Sequence, residues 1–210
     1  MTIRTLTRRT ALVTAAALAS LVLAACGGGD SAAPSGGGHG HGSSATAGAT
    51  AHNAQDVAFA QGMVPHHRQA LEMARLAASR ASSARVKDLA TRIEKAQDPQ
   101  IRTMTGWLKS WGEQAPAAGM DHSGRTGTSG ASGMAGMMSD GDMAALEKAT
   151  GAEFDTRFLS LMVRHHQGAV EMAGTERDKG AYGPARRMAG SVVTAQTAEI
   201  REMKQLLGAG

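Results

Sequence analysis

The chain has 210 residues, of which 42% are hydrophobic and only 3% aromatic. Three of its 22 Lys and Arg residues lie within the first nine positions, so the rest of the chain carries 19 basic against 18 acidic residues. This near-neutral balance, without a basic patch interleaved with aromatic side chains, argues against nucleic acid as a partner.

The first 25 residues have the pattern of a lipoprotein signal peptide. Three arginines precede a short apolar stretch, which ends in Leu23-Ala24-Ala25-Cys26 and resembles the bacterial lipobox. We therefore expect residues 1–25 to be removed and Cys26 to carry a lipid. The mature protein is then an exported lipoprotein, anchored to the cell membrane on its extracytoplasmic side.

Two low-complexity segments separate the predicted helical regions. Residues 26–52 are predicted to form a flexible tether, and residues 114–141 a flexible linker rich in Met, His and Gly. Methionine in a flexible segment has no core to fill, so the linker indicates low-affinity capture of Cu(I) or Ag(I), with compositional drift as the alternative. The possible additional metal ligands in the linker are Met120, His122, Met134, Met137 and Met138.

An internal repeat at an offset of 99 residues is the strongest signal in the chain. Apolar residues recur at three- and four-residue steps in each copy, which predicts one helical hairpin over 53–113 and another over 142–208. Because one hairpin cannot cover its own apolar face, the two are predicted to form a single all-α four-helix bundle with pseudo-twofold symmetry and a long crossover.

A Met/His-His/Met motif is repeated at the same offset. Met63, His66 and Met73 share one helical stripe, with His67 beside it. The second copy is made of Met162, His165, His166 and Met172. Thioether sulfur and imidazole nitrogen are ligands of soft and borderline metals, so the motif predicts copper binding, as Cu(I) or Cu(II), with silver as a further candidate. The duplication in register favours this interpretation over core packing alone.

Two further pairs of residues receive supporting roles. Gln97 and Gln196 should lie across each hairpin from the histidines, and we expect them to fix the imidazole tautomers by hydrogen bonds, unless they are ordinary surface residues. Met104 and Met203 either extend the sulfur stripe as additional metal ligands or pack in the core.

Prolines and acidic residues mark predicted features of the helices. Pro65 is expected to kink its helix, and Asp98-Pro99 has the pattern of a helix start. Asp56 and Asp155 are predicted to lie in first turns and to complement the helix dipoles.

The two repeats share the pattern F-x-x-x-M-V-x-H-H-x-x-A-[LV]-E-M-A, followed by A-Q-x-x-[QE]-I-R-x-M. This pattern resembles the bacterial family known as domain of unknown function 305, over about 53–112 and 142–208. The resemblance implies a ferritin-like bundle and copper binding outside the cytoplasm by the repeated Met and His residues. Pro99, and Leu206 where the first repeat has Trp107, depart from the repeat without touching these residues.

The sequence therefore favours a binding protein over an enzyme, with copper sequestration or transfer in the cell envelope as its function. A di-iron oxidase would need Glu-x-x-His pairs, but Arg75 follows Glu72 at the third place and Gly174 follows Glu171. The alternative is a metal-responsive structural or interaction module. A copper donor or acceptor protein is an expected partner, and the sequence leaves homo-oligomers open.

Overall fold

The computed structural model describes residues 51–117 and 134–208, which fold into five α-helices and contain no named β-strand. The helices are α1 (Ala54–Arg80), α2 (Ala84–Ser110), α3 (Asp140–Lys148), α4 (Gly151–Lys179) and α5 (Gly183–Gly208). The pairs α1–α2 and α4–α5 are the two predicted hairpins, so the all-α bundle is confirmed, and α3 is a short addition before the second hairpin. The predicted signal peptide, Cys26, Met120 and His122 lie outside the described residues.

Both prolines lie inside continuous helices. α1 runs through Pro65 and α2 runs through Pro99, so the predicted helix start at Asp98-Pro99 is wrong. A proline inside a helix costs about 3 kcal/mol because it removes one hydrogen bond and crowds the preceding turn. Fully buried side chains on either side of Pro99, at Ile93 and Met104, hold both parts of α2 in the core and offset this cost.

The two hairpins are joined by a symmetric pair of aspartates. At the start of α1, the Asp56 carboxylate accepts hydrogen bonds from the backbone N–H groups of Ala181 and Tyr182, at 3.1 and 2.9 Å. At the equivalent place in α4, Asp155 accepts bonds from the Ser83 backbone N–H, at 2.9 Å, and from the Ser82 hydroxyl. All of these positions are related by the offset of 99. Asp56 lies in the first turn of its helix as predicted, but Asp155 lies beyond the first turn of α4, so the prediction is wrong for Asp155. Each aspartate ties its helix to the turn of the other hairpin.

These ties make α1 and α4 antiparallel neighbours, and these two helices form the main contact between the hairpins. The core has two clusters of buried apolar side chains, one at each end of the bundle. The first contains Phe154, Phe158 and Leu89, and the second contains Phe59 and Leu108. The repeated histidines lie between them, halfway along α1 and α4. Within the described ranges, no helix combines the length and hydropathy needed to span a bilayer.

Candidate metal centre

Four histidine side chains lie in the middle of the bundle and are inaccessible to solvent. They are His66, His67, His165 and His166, each with 0% exposure. The rings of His66 and His165 meet across the α1–α4 contact, with their centroids 3.8 Å apart. Because these two residues are equivalent in the repeat, the pseudo-twofold axis passes between them. The two helical stripes therefore face each other at this pair.

Hydrogen bonds define the tautomer of two of these imidazoles. His67 Nε2 lies 2.8 Å from the amide oxygen of Gln100, and His166 Nε2 lies 2.6 Å from a carboxylate oxygen of Glu199. Since both partner atoms are acceptors, Nε2 must donate its proton in each pair, and the lone pair of a neutral ring is left on Nδ1. Neither Nδ1 atom has a hydrogen-bond partner in the part of the chain that the structure describes.

The central pair, His66 and His165, differs in its partners. His66 Nε2 lies 3.2 Å from the carbonyl oxygen of Ala135, so it also donates and leaves its lone pair on Nδ1. For His165, neither ring nitrogen has a hydrogen-bond partner among the described residues. All four Nδ1 atoms, together with His165 Nε2, are therefore buried nitrogens that no described protein group satisfies.

The glutamines that were predicted to hold the imidazoles do not bond to them. Gln97 and Gln196 are buried, at 3% and 4% exposure, and their side-chain oxygens have no partner in the described ranges. The bonds come instead from Gln100 and Glu199, one helical turn further along α2 and α5. The prediction was wrong by one helical turn, because the distance of a residue from the hairpin loop does not determine how its helix is rotated about its axis. The signal was present in the repeat, where this position holds either Gln or Glu.

Burial keeps His66, His67 and His165 in their neutral form. It lowers the pKa of His66 to about 3, with a further contribution from the neighbouring His67. It lowers the pKa of His67 to about 4, although the bond to Gln100 acts in the opposite direction. The pKa of His165 also falls well below its usual value, through burial and then through the charge of His66. Neutral imidazole is the form that binds metals, so these three rings need no deprotonation at neutral pH.

The methionines of the motif form two groups, one on each side of the histidines. Met73, Met162 and Met203 belong to the first core cluster. Met63 and Met104 belong to the second cluster, with the partly buried Met172 packed against it. Each group thus combines methionines from both repeats.

This grouping divides the methionines of each helical stripe between two places. Met63 and Met73 are ten residues apart, which corresponds to about 15 Å along a helix, too far for one ion to bind both. Met104 and Met203, both fully buried, lie in the core packing, one in each group.

Residues 134–139, which we call the strap, pack across the histidine pair. Gln69 of α1 binds the strap twice: its amide oxygen accepts from the Met138 N–H at 2.8 Å, and its amide nitrogen donates to the Met138 carbonyl at 3.0 Å. At the equivalent position of α4, Gly168 leaves room for the strap backbone. A β-carbon there would lie 1.9 Å from the Ala135 carbonyl oxygen. The predicted linker therefore has a structured end that contacts both central helices.

Gly136 has a positive φ of 81° and packs against the backbone of α4, where a β-carbon would lie 2.7 Å from the Arg164 carbonyl oxygen. Glycine is therefore needed here for both its conformation and its size. The strap can lie this close to the helix only because neither surface carries a side chain at the point of contact.

The three described linker methionines all lie on the strap. The Met134 sulfur and the Met172 sulfur each lie 3.7 Å from the place that a β-carbon would take at Gly62, so two thioethers flank this glycine. Met138 is buried, and its sulfur accepts a contact of 3.8 Å from the Arg164 guanidinium. Met137 lines the cleft between the strap and α4.

The donor atoms fit a soft metal better than a hard one. In the described ranges, no three His, Cys, Asp or Glu side chains stand together in the arrangement of a metal site. The region offers imidazole and thioether donors, which copper and silver accept and which Mg²⁺ and Ca²⁺ do not. The unsatisfied Nδ1 atoms meet the need for buried lone pairs.

Residues 56–207 match the family model described as "Domain of unknown function (DUF305)". A DUF305 protein from Streptomyces coelicolor is 32% identical, with a TM-score of 0.65 over 74% of this chain and 93% of the other. A DUF305 fragment from Deinococcus radiodurans is 33% identical, with a TM-score of 0.65 over 75% of this chain and 98% of the other. None of the curated proteins is significantly similar in sequence.

The protein CopM, solved in its Cu(II)-bound form, is 31% identical to this chain. The TM-score is 0.62, and the match covers 73% of this chain and 96% of CopM. CopM has also been solved in Cu(I)-bound and Ag-bound forms, at 29% and 28% identity.

Proposed function

The chain belongs to the DUF305 family, and on this premise we propose that it is a copper-binding protein of the cell envelope that sequesters or transfers the metal. Copper is its cargo, bound by the imidazoles and thioethers of the two repeated motifs. The proposed ligands are the buried residues Met63, His66, His67, Met73, Met162, His165 and His166, with the partly buried Met172.

One observation carries the proposal: four buried imidazoles whose Nδ1 atoms lack a partner among the described residues. A buried polar atom without a hydrogen bond costs about 1–3 kcal/mol. Four such atoms at equivalent positions of two repeats form a costly arrangement that packing does not explain. Metal ions that accept lone pairs from these rings would offset the cost.

The sulfur groups on either side of the imidazoles support copper and silver over zinc. Thioethers bind Cu(I) and similar soft ions, whereas zinc sites are built mainly from Cys, His and carboxylates. Imidazole also binds Cu(II), so the same region suits both oxidation states. CopM, a relative, was crystallised with Cu(I), Cu(II) and Ag.

The cell envelope is proposed from the first 26 residues and from one relative. The pattern ending at Cys26 indicates export and lipid attachment. The Streptomyces coelicolor protein is described provisionally as secreted. An exported copper protein needs a source or a destination for its metal, so a copper donor or acceptor protein is a proposed partner.

The test is a titration of the full-length chain with Cu(I), Cu(II), Ag(I) and Zn(II), with affinities measured by chelator competition. Replacing all four buried histidines by alanine should lower the affinity for copper and silver by about 100-fold or more. His52→Ala is the matched control, because His52 is exposed and stacks on Trp111 at 4.5 Å, away from the buried histidines. It should leave the affinity unchanged.

The fourfold alanine variant leaves a large cavity, so its fold must be checked by circular dichroism. The pair Met63→Leu with Met162→Leu keeps the side-chain volume and should cost less than about 1.5 kcal/mol of stability per site. This pair should weaken Ag(I) and Cu(I) binding more than Cu(II) binding. Wild-type affinity in the folded alanine variant contradicts the site, and a preference for Zn(II) over Cu(I) under reducing conditions contradicts the soft-metal assignment.

A further inference from the structure

The two repeats hold their second histidine by different acceptors. His67 donates to the neutral amide of Gln100, whereas His166 donates to the carboxylate of Glu199. Both acceptors lie 33 residues after their histidine, and they occupy equivalent positions in the repeat. The sequence separation and the donating nitrogen are the same in both repeats, so the charge of the acceptor is the main chemical difference between the two hydrogen bonds.

The charge on Glu199 acts on the imidazole without a nearby competing cation. In the described part of the chain, no Lys or Arg lies within salt-bridge distance of this carboxylate, whose hydrogen-bond partner is His166 itself. The Glu199 side chain is only 15% exposed, so water screens its charge weakly. The distance of 2.6 Å is that of a strong, charge-assisted hydrogen bond.

A carboxylate behind an imidazole changes what the ring can bind. It polarises the N–H bond, raises the basicity of the opposite nitrogen and places a negative charge close to the ion. A divalent ion gains more from both effects than a monovalent ion does, because the electrostatic energy scales with the charge of the ion. An amide oxygen orients the ring equally well but adds no net charge.

We propose that the two motif copies prefer different oxidation states of copper. Glu199 makes the site at His166 selective for Cu(II), whereas the site at His67, held by the neutral Gln100, prefers monovalent Cu(I) or Ag(I). This inference rests on the proposed copper function and assigns an oxidation-state preference to one residue of each repeat. Glu199 and Gln100 are positioning residues, which act on the metal through the histidines that they hold.

Exchanging the two acceptors tests the proposal. Glu199→Gln keeps a hydrogen-bond acceptor of the same size and should lower the Cu(II) affinity of the full-length chain by about 10–100-fold, the usual effect of losing such a partner. The affinity for Ag(I), which stands in for Cu(I) without redox chemistry, should change by less than about threefold. Gln100→Glu should have the opposite effect and increase Cu(II) affinity.

Two additional measurements distinguish the effect of the Glu199 charge from a general effect on the fold. Glu199→Gln should unfold at the wild-type temperature, whereas Glu199→Ala, which also loses the hydrogen bond, should unfold at a lower one. The electron paramagnetic resonance spectrum of bound Cu(II) should change in Glu199→Gln and not in the His52→Ala control.

Equal losses of Cu(II) and Ag(I) affinity in Glu199→Gln, or no loss of either, overturn the inference. In that case copper binding by the wild-type chain, and its loss in the fourfold histidine variant, leave the proposed function standing. A wild-type chain that binds neither ion overturns both.

Discussion

The two repeats share a scaffold but differ at the positions that surround the histidines. The aspartate ties are formed at the same place in both halves, by Asp56 and Asp155. The strap, in contrast, is hydrogen-bonded to the side chain of Gln69, and it packs against the backbone of Gly168, where there is no side chain. Since the strap is a single segment near the symmetry axis, the two equivalent positions cannot both make the same contact with it. The symmetric contacts build the bundle, and the asymmetric ones distinguish the two halves of the candidate metal centre.

The ends of the bundle show the same contrast. Ser82 donates its hydroxyl to Asp155 in one half, but the equivalent residue in the other half is Ala181, which has no side-chain donor. There the buried Glu176 faces Asp56, at a position where the first repeat has Ala77.

Burial raises the pKa of Glu176 to about 8, and the adjacent Asp56 contributes to the rise. Burial alone would also raise the pKa of Asp56, but the adjacent Glu176 and three backbone N–H groups lower it. At neutral pH, Glu176 is therefore a protonated, neutral acid beside the Asp56 carboxylate.

The largest expected difference between the halves is a pH dependence of stability that Glu176 confers. Glu176 has a pKa of about 8 in the folded chain and 4.5 as its ordinary value, so on raising the pH the unfolded chain releases this proton first. The free energy of unfolding should therefore fall between pH 4.5 and 8, by at most about 1.4 kcal/mol per pH unit, and level off above.

Glu176→Gln has no proton to lose, so the difference between wild type and variant isolates this contribution from those of the histidines. Urea unfolding at several pH values across the window measures it. Glu171→Gln, an exposed residue on the same helix, is the control and should keep the wild-type slope. A Glu176→Gln variant with an unchanged slope would show that Glu176 ionises normally.

A smaller effect is expected where the strap crosses α4. In Gly168→Ala the new methyl group overlaps the Ala135 carbonyl, and either the strap or the helix must shift. Overpacking of this kind costs about 1–3 kcal/mol, which exceeds the gain of about 1 kcal/mol that alanine brings to a helix interior. Urea unfolding should show a net loss of stability.

Gly106→Ala is the matched control for the strap, because it adds the same methyl group to the interior of α2 with no atom within 4 Å. It should raise the free energy of unfolding by about 0.5–1 kcal/mol, the intrinsic helix preference of alanine. If both variants are stabilised by similar amounts, the strap does not pack on α4 as the structure shows.

The internal repeat was sufficient to predict the hairpins and the bundle. These follow from hydrophobic periodicity and from the symmetry that a repeat in register imposes on packing. The equivalent pair Gln100 and Glu199 was overlooked because the rotation of α2 relative to α1 depends on core packing, which periodicity does not resolve.

The strap and the Glu176 contact were beyond prediction for a different reason. The strap lies in a Gly- and Met-rich stretch whose composition matches a flexible linker, and its order comes from contacts with Gln69 and Gly168 far away in the sequence. Glu176 follows the motif at an ordinary helical position, and only the folded chain brings it to Asp56. Such contacts have no local sequence pattern.

The central claim is that neutral, buried imidazoles present their Nδ1 lone pairs to a soft metal. Ring ¹⁵N NMR of the full-length chain tests it directly, before and after addition of diamagnetic Ag(I). The structure predicts that His66 and His67 carry their proton on Nε2 in the metal-free chain, and that their Nδ1 resonances shift when Ag(I) binds. Protons on Nδ1 in the metal-free chain, or ring resonances that Ag(I) leaves unmoved, would contradict it.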